Sequence, residues 1–138
     1  MPDKVHLEVV TPIALLVDRE ADMVVVPGGD GDFGVLPGHA PLISTLRPGT
    51  IEVYEGERVA MRVFVESGFA EVSSEGLTVV AEAATPGAKL AAKDAEARLA
   101  RARETRSAAE TDSERLAAEV EIAVAEAMLA AASPTERR

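Results

Sequence analysis

The chain has no cysteine and no tryptophan, one tyrosine, three phenylalanines and two histidines. Without cysteine there is no disulfide frame and no thiolate zinc site, which fits a reducing compartment. Aromatics at 3% leave no platform for base stacking. A formal net charge of −10 repels a phosphate backbone, so nucleic acid is excluded as a partner class. No apolar run approaches the roughly 20 residues of a membrane-spanning helix. The start, MPDKVHLEVV, has no charged stretch leading into an apolar one, and no signal peptide is expected. GxxxxGKS/T does not occur, and the glycines spaced GxGxxG over 29–34 are read as turn formers, so no phosphate-cradling loop is expected. Two distant histidines give no metal-ligand spacing. Asp30 and Asp32 open like a calcium loop, but the continuation lacks the Asp/Asn alternation and the closing Glu.

What is present divides the 138 residues near Thr85-Pro86-Gly87. Before that point the apolar period is two. Over 59–66, Val59, Met61, Val63 and Val65 face one way, and Arg62 and Glu66 the other. Similar runs cover 6–10, 23–26, 50–54, 69–72 and 77–81, with Gly- and Pro-containing turns between them. Many short strands at close spacing predict a β-sandwich or barrel, and hydrophobic residues at 47% are enough for a packed core.

After Thr85 the chain turns alanine-rich and charged, with no Gly or Pro over 88–133. Alanine, Lys, Arg and Glu are strong helix formers. Thr85 is read as an N-cap with Pro86 at the first helical position. Thr111-Asp112-Ser113-Glu114 reads as a capping box. Two helices are therefore predicted, 87–106 and 112–132, forming an antiparallel hairpin. The first offers a seam of Ala88, Ala92, Ala95, Leu99 and Ala102, close-fitting but poor in buried area. Charge is split: 88–106 has six basic against three acidic residues, a balance of +3, and 112–132 has one against five, a balance of −4. Three readings of this split stand: a solvated helix face, attraction between the two helices, or a first helix that meets an acidic partner surface.

The stretch FGVLPGHAPL, residues 33–42, is apolar, stiffened by Pro37 and Pro41, and contains no reactive pair. A general base needs an orienting partner, and His39 has none in the sequence. The glycines over 28–34 read as turn formers. From the residues alone three readings stand: a docking element, a free-standing binding module whose 27–42 loop captures a small ligand or peptide, and a small enzyme built on His39.

A resemblance orders these readings. Residues 6–12 (HLEVVTP), 26–42 (VPGGDGDFGVLPGHAPL), 46–49 (LRPG) and 65–72 (VESGFAEV) resemble the ε subunit of bacterial F-type ATP synthases, and the likeness spans essentially the whole chain. It implies a flattened β-sandwich of about ten strands over 1–86, then an antiparallel two-helix hairpin over 87–138. It implies a non-catalytic rotor subunit, without cofactor or metal, joining the γ subunit to the c ring of a proton-translocating enzyme. It places the chain peripherally on the cytoplasmic side of a bacterial plasma membrane. By the family pattern Gly31, Asp32 and Phe33 face the c ring, and Leu36, Pro37, Gly38, His39 and Pro41 belong to the same contact region with γ. In many members the hairpin inhibits ATP hydrolysis. Arg98, Arg101, Arg103 and Arg106 are then the expected contacts with the β subunit, within a hairpin that engages α and β.

One departure from the family has a direct consequence. Some members bind ATP through an Ile/Leu-Asp-x-x-Arg-Ala stretch at the first helix. The corresponding segment here is Leu90-Ala91-Ala92-Lys93-Asp94-Ala95, with Ala91 at the Asp position and Asp94 at the Arg position. A phosphate meets repulsion there where the motif supplies a charge-assisted bond. Millimolar Mg-ATP is therefore expected to leave the melting temperature of the full chain unchanged in a thermal-shift assay. A saturable rise would show that the altered stretch still binds nucleotide.

Overall fold

Strands occupy the first two-thirds of the chain and helices the last third in the computed structural model, which describes residues 3–132. The chain forms two compact units, Met1–Ala88 and Lys89–Arg138. In the first unit ten strands make two five-stranded sheets. One has the order β2 (Ala14–Ala21), β1 (Val5–Thr11), β9 (Gly76–Ala81), β8 (Gly68–Ser73), β5 (Leu42–Thr45). The other has the order β10 (Ala84–Pro86), β7 (Arg58–Val65), β6 (Gly49–Glu55), β3 (Met23–Gly28), β4 (Gly31–Val35). Neighbours are antiparallel except β1 and β9, which run parallel.

Period two explains why the sheets close on each other. Leu7 and Val9 on β1, and Leu77 and Val79 on β9, point inward from one sheet. Val24 and Val26 on β3, Ile51 and Val53 on β6, and Val63 and Val65 on β7 point inward from the other. These side chains are essentially inaccessible to water, and no polar or charged residue is buried with them among the described residues. Full burial of such a side chain stabilises by about 1.5–3 kcal/mol. His6, Glu8, Glu52, Arg62 and Thr78, polar at alternate positions, disfavour a slip of the register by one.

The predicted face of the 59–66 run is correct only in part. Register shifts between Val53 and Tyr54, so that Met61 lies opposite Val53 but Val59 lies opposite Tyr54. This bulge turns Val59 off the core face. On the other face of β7, which also carries Arg62, Phe64 is fully buried. Strands β2, β4, β5 and β10 lay outside the predicted runs; β2 contains Asp-Arg-Glu and a bulge, which obscure its alternation.

The expected helix start is also corrected. Ala84, Thr85 and Pro86 pair with Val65, Phe64 and Val63, so the predicted N-cap is a short edge strand, a place where proline is tolerated. A single 3₁₀ turn, Gly87–Lys89, follows. Helix α1 begins only at Ala92 and runs to Ala108. Ala91 gives its first turn no side-chain cap, and Ala88 and Ala92 of the expected seam are exposed. Helix α2 spans Asp112–Ala132, with the capping box in place. Glu114 N–H donates to Thr111 Oγ1 at 3.1 Å and Thr111 N–H to Glu114 Oε1 at 3.2 Å. Leu99 and Ala102 of α1 pack with Ile122 and Ala125 of α2, and Leu129 lies alongside.

Gly68 is the position most sensitive to an added methyl. Its φ is +136°, and a Cβ would stand 1.9 Å from the Val80 carbonyl oxygen. Gly68→Ala is expected to destabilise by about 2–4 kcal/mol, because strain and backbone clash coincide. Urea unfolding measures it; a loss below about 0.5 kcal/mol would show that the β8–β9 pairing yields easily.

Candidate docking surface

The apolar stretch 33–42 divides into three parts. Phe33, Gly34 and Val35 belong to β4, Leu42 opens β5, and only 36–41 are loop. That loop passes from the edge of one sheet to the edge of the other. Pro37 and Pro41 restrict it, Gly38 takes φ +81°, and His39 N–H donates to the Leu36 carbonyl at 3.1 Å. Leu36 is 56% exposed, while Val35 just before it is buried. His39 Nδ1 lies 2.7 Å from the Ala40 carbonyl oxygen, a contact within the loop. The loop borders a cavity of about 440 Å³ whose wall includes Lys4, His6 and His39.

Beside the loop the two edge strands leave a groove of about 500 Å³, lined by 30–33 and 42–45. Gly31 and Asp32 are exposed at its rim, but Phe33 is half-buried and packs on the sandwich core. Its ring lies against the Gly28–Gly31 turn and also lines the groove. Arg47 braces this turn. Its guanidinium donates to the Gly28 carbonyl at 2.7 Å and pairs with Asp32. Two backbone bonds reinforce it: Gly29 N–H to Thr45 O at 2.8 Å, and Arg47 N–H to Pro27 O at 3.0 Å. The loop and groove are thus held rigid before any partner arrives, which lowers the ordering cost of binding.

Register on the outer face of the first sheet creates a surface that the sequence did not reveal. Leu15 lies opposite Val10, Val10 opposite Val80, Val80 opposite Phe69, and Phe69 opposite Thr45. Four apolar side chains thus form a row across the sheet, with Leu15 54%, Val80 36% and Phe69 42% exposed. Ile43 on β5, 70% exposed, stands at the same face in the neighbouring row, opposite Glu71. The only signal in the sequence was an apolar residue at the outward phase of several strands, and it acquires meaning only when those strands are aligned.

The four arginines of α1 separate into two kinds. Arg98 pairs with Glu121, and Arg103 lies 3.8 Å from Glu126, so both face the second helix. Half-exposed pairs of this kind contribute at most about 1 kcal/mol each. Arg101 and Arg106 are exposed, and no acidic partner is recorded for either among the described residues.

At the cavity under the loop, Lys4 Nζ lies 2.5 Å from Asp22 Oδ1, and the Gly56 N–H donates to Asp22 Oδ2 at 2.5 Å. The Lys4 hydrogen bond, and then the Gly56 N–H, hold the Asp22 carboxyl below its ordinary 3.8. The same bond raises Lys4 above its ordinary 10.5. The Asp22 contribution is present above the unfolded value and is lost as pH falls through the lower folded one. The Lys4 contribution is present below its unfolded value and is lost as pH rises through the higher folded one. The clasp therefore holds across the whole neutral range.

Comparison with known proteins is consistent across its kinds. The ATP synthase delta/epsilon chain β-sandwich domain matches residues 4–87. The chain is 49% identical over 131 residues to the ATP synthase epsilon chain of Paramagnetospirillum magneticum, covering 95% of this chain and 98% of that one. It is 45% identical to that of Rhodospirillum rubrum, with the same coverage. A chain of the Euglena gracilis mitochondrial ATP synthase superposes with a TM-score of 0.81 at 23% identity, over 96% of this chain and 84% of that one. A chain from the Tetrahymena thermophila mitochondrial ATP synthase central stalk and c-ring gives 0.67 at 11% identity, over 94% and 97%. At these identities the two structures share the fold. Among the described residues no helix is long and apolar enough to cross a membrane.

The Arg47 brace has a local consequence. Arg47→Met removes two charge-assisted hydrogen bonds from the turn, about 1.5 kcal/mol in total when half-exposed. Amide exchange at Gly29 is expected to quicken about tenfold, while the β1 and β9 amides keep their protection. Unchanged exchange at Gly29 would show that the backbone bonds alone hold the turn.

Proposed function

The chain belongs to the ATP synthase epsilon chain family, and from that premise we propose that it is a non-catalytic rotor subunit. In this reading it links the γ subunit to the c ring of a bacterial proton-translocating ATP synthase, peripherally on the cytoplasmic side of the membrane. The observation that carries the proposal is the rigid apolar surface on one unit: the braced 28–33 turn, the stiff 36–41 loop and the outward row ending at Phe69. A rotor part has to transmit torque without deforming. A dry core behind the surface and a pre-ordered loop upon it meet that demand. The polar rim, Gly31 and Asp32, suits the polar loops of a c ring. The apolar row and Ile43 suit a γ subunit that covers them.

The hairpin serves as a brake on hydrolysis. Its own core is small, a few side chains around Leu99 and Ile122, and its first helix begins without a side-chain cap. A hairpin with so small a core of its own can change conformation at low energetic cost. Arg101 and Arg106, without an acidic partner among the described residues, are the cations that meet acidic β-subunit surface, whereas Arg98 and Arg103 hold the hairpin together.

Steady-state ATP hydrolysis by a core of α, β and γ lacking this subunit tests both parts. The shortened chain ends after Ala88, so that β10 is retained. The full chain and the shortened one are both expected to bind, and only the full chain to slow turnover. Arg101→Glu with Arg106→Glu should relieve the slowing without loss of binding. Phe69→Glu should weaken binding at least tenfold. Binding by both chains with no slowing by either would leave a connector without a brake, and failure of both to bind would refute the docking reading.

A further inference from the structure

The two histidines offered no metal spacing in the sequence, yet strand pairing gathers one of them with two carboxylates. His6 and Glu8 are two apart on β1 and share its outer face, and Glu8 lies directly opposite Asp18 on β2. His6 Nε2 stands 2.8 Å from Asp18 Oδ1 and 4.0 Å from Glu8 Oε2. One ligand atom from each of the three lies within 4.8 Å of the others. Like charges directly opposite on adjacent strands are destabilising, and here the arrangement worsens it, because Glu20 stands opposite His6. The nearby cations are engaged elsewhere: Lys4 pairs with Asp22, and Arg19 pairs with Glu55. No Lys or Arg ion pair to Glu8 or Asp18 is recorded among the described residues.

We propose that His6, Glu8 and Asp18 form a binding site for a divalent first-row transition ion of the zinc type. The donor set decides the class. One imidazole with two carboxylates suits Zn²⁺ and its neighbours, whereas Mg²⁺ and Ca²⁺ favour oxygen ligands alone. Geometry agrees. Zn–N and Zn–O bonds of about 2.0–2.2 Å in a tetrahedron place ligand atoms about 3.4 Å apart, and the separations of 2.8 and 4.0 Å bracket that value. All three side chains are 40–49% exposed, so small rotations complete the set and water takes the remaining positions. The ion pins β2, an edge strand, to β1 and cancels the repulsion between Glu8 and Asp18. The site shares the outer face of the first sheet with the apolar row, but its failure would leave the docking reading untouched.

The test is calorimetric titration of the full chain with Zn²⁺, together with imidazole NMR. With only two histidines in the chain, His39 is an internal control. One equivalent of Zn²⁺ should bind saturably, shift the His6 ring resonances and leave those of His39 in place. Asp18→Asn and Glu8→Gln should each weaken binding at least tenfold, while their metal-free melting temperatures stay equal to or above that of the native chain. That second readout separates ligand loss from misfolding. No saturable uptake below millimolar Zn²⁺, uptake indifferent to both substitutions, or a shift at His39 alone would overturn the proposal.

Discussion

The dry aliphatic contact between the two sheets is the constraint on which the rest of this chain depends. Leu7, Val9, Leu77 and Val79 meet Ile51, Val53, Val63 and Val65 with no polar group among them. Such a core has no hydrogen bond to direct it and gains its specificity from shape and register. It fixes both sheets and therefore both edge strands, β4 and β5. The stiff loop between those strands is held at its two ends by this core. Each outward side chain follows from the same register, which is why the apolar row and the His6 group occupy one face.

Charge plays a different part in each unit. On the sandwich it acts through short, local ties: Arg47 to Gly28 and Asp32, and Lys4 to Asp22. These ties set loop positions and contribute little to global stability, since all are substantially exposed. In the hairpin the opposite charge balances of the two helices are used only partly. Two arginines of α1 face acids on α2, and two do not. The small apolar seam and the partial use of charge have the same effect, a helical pair formed largely by propensity and capping. Leu116 and Val120, large apolar residues on α2, are 63% and 58% exposed and add nothing to the seam.

The sequence by itself determined the sandwich-then-helices order, the core faces of β1, β3, β6, β8 and β9, helix α2 to its first residue, and the family. Each of these rests on local information: period two, alanine-rich propensity, a capping box, and a contiguous motif around Pro37-Gly38-His39. Only the tertiary structure decided where α1 begins, because Thr85 and Pro86 are drawn into pairing with β7, which overrides their preference for a helix start. Only it packed Phe33 partly on the core, put Val59 off the core face through a bulge, and separated Arg98 and Arg103 from Arg101 and Arg106. The outer row from Leu15 to Phe69 and the meeting of His6 with Asp18 also belong to this class. The physical reason is common to all of them. A residue's phase along its own strand or helix is written locally, but its neighbour across a sheet is set by which distant strand pairs with it and in which register.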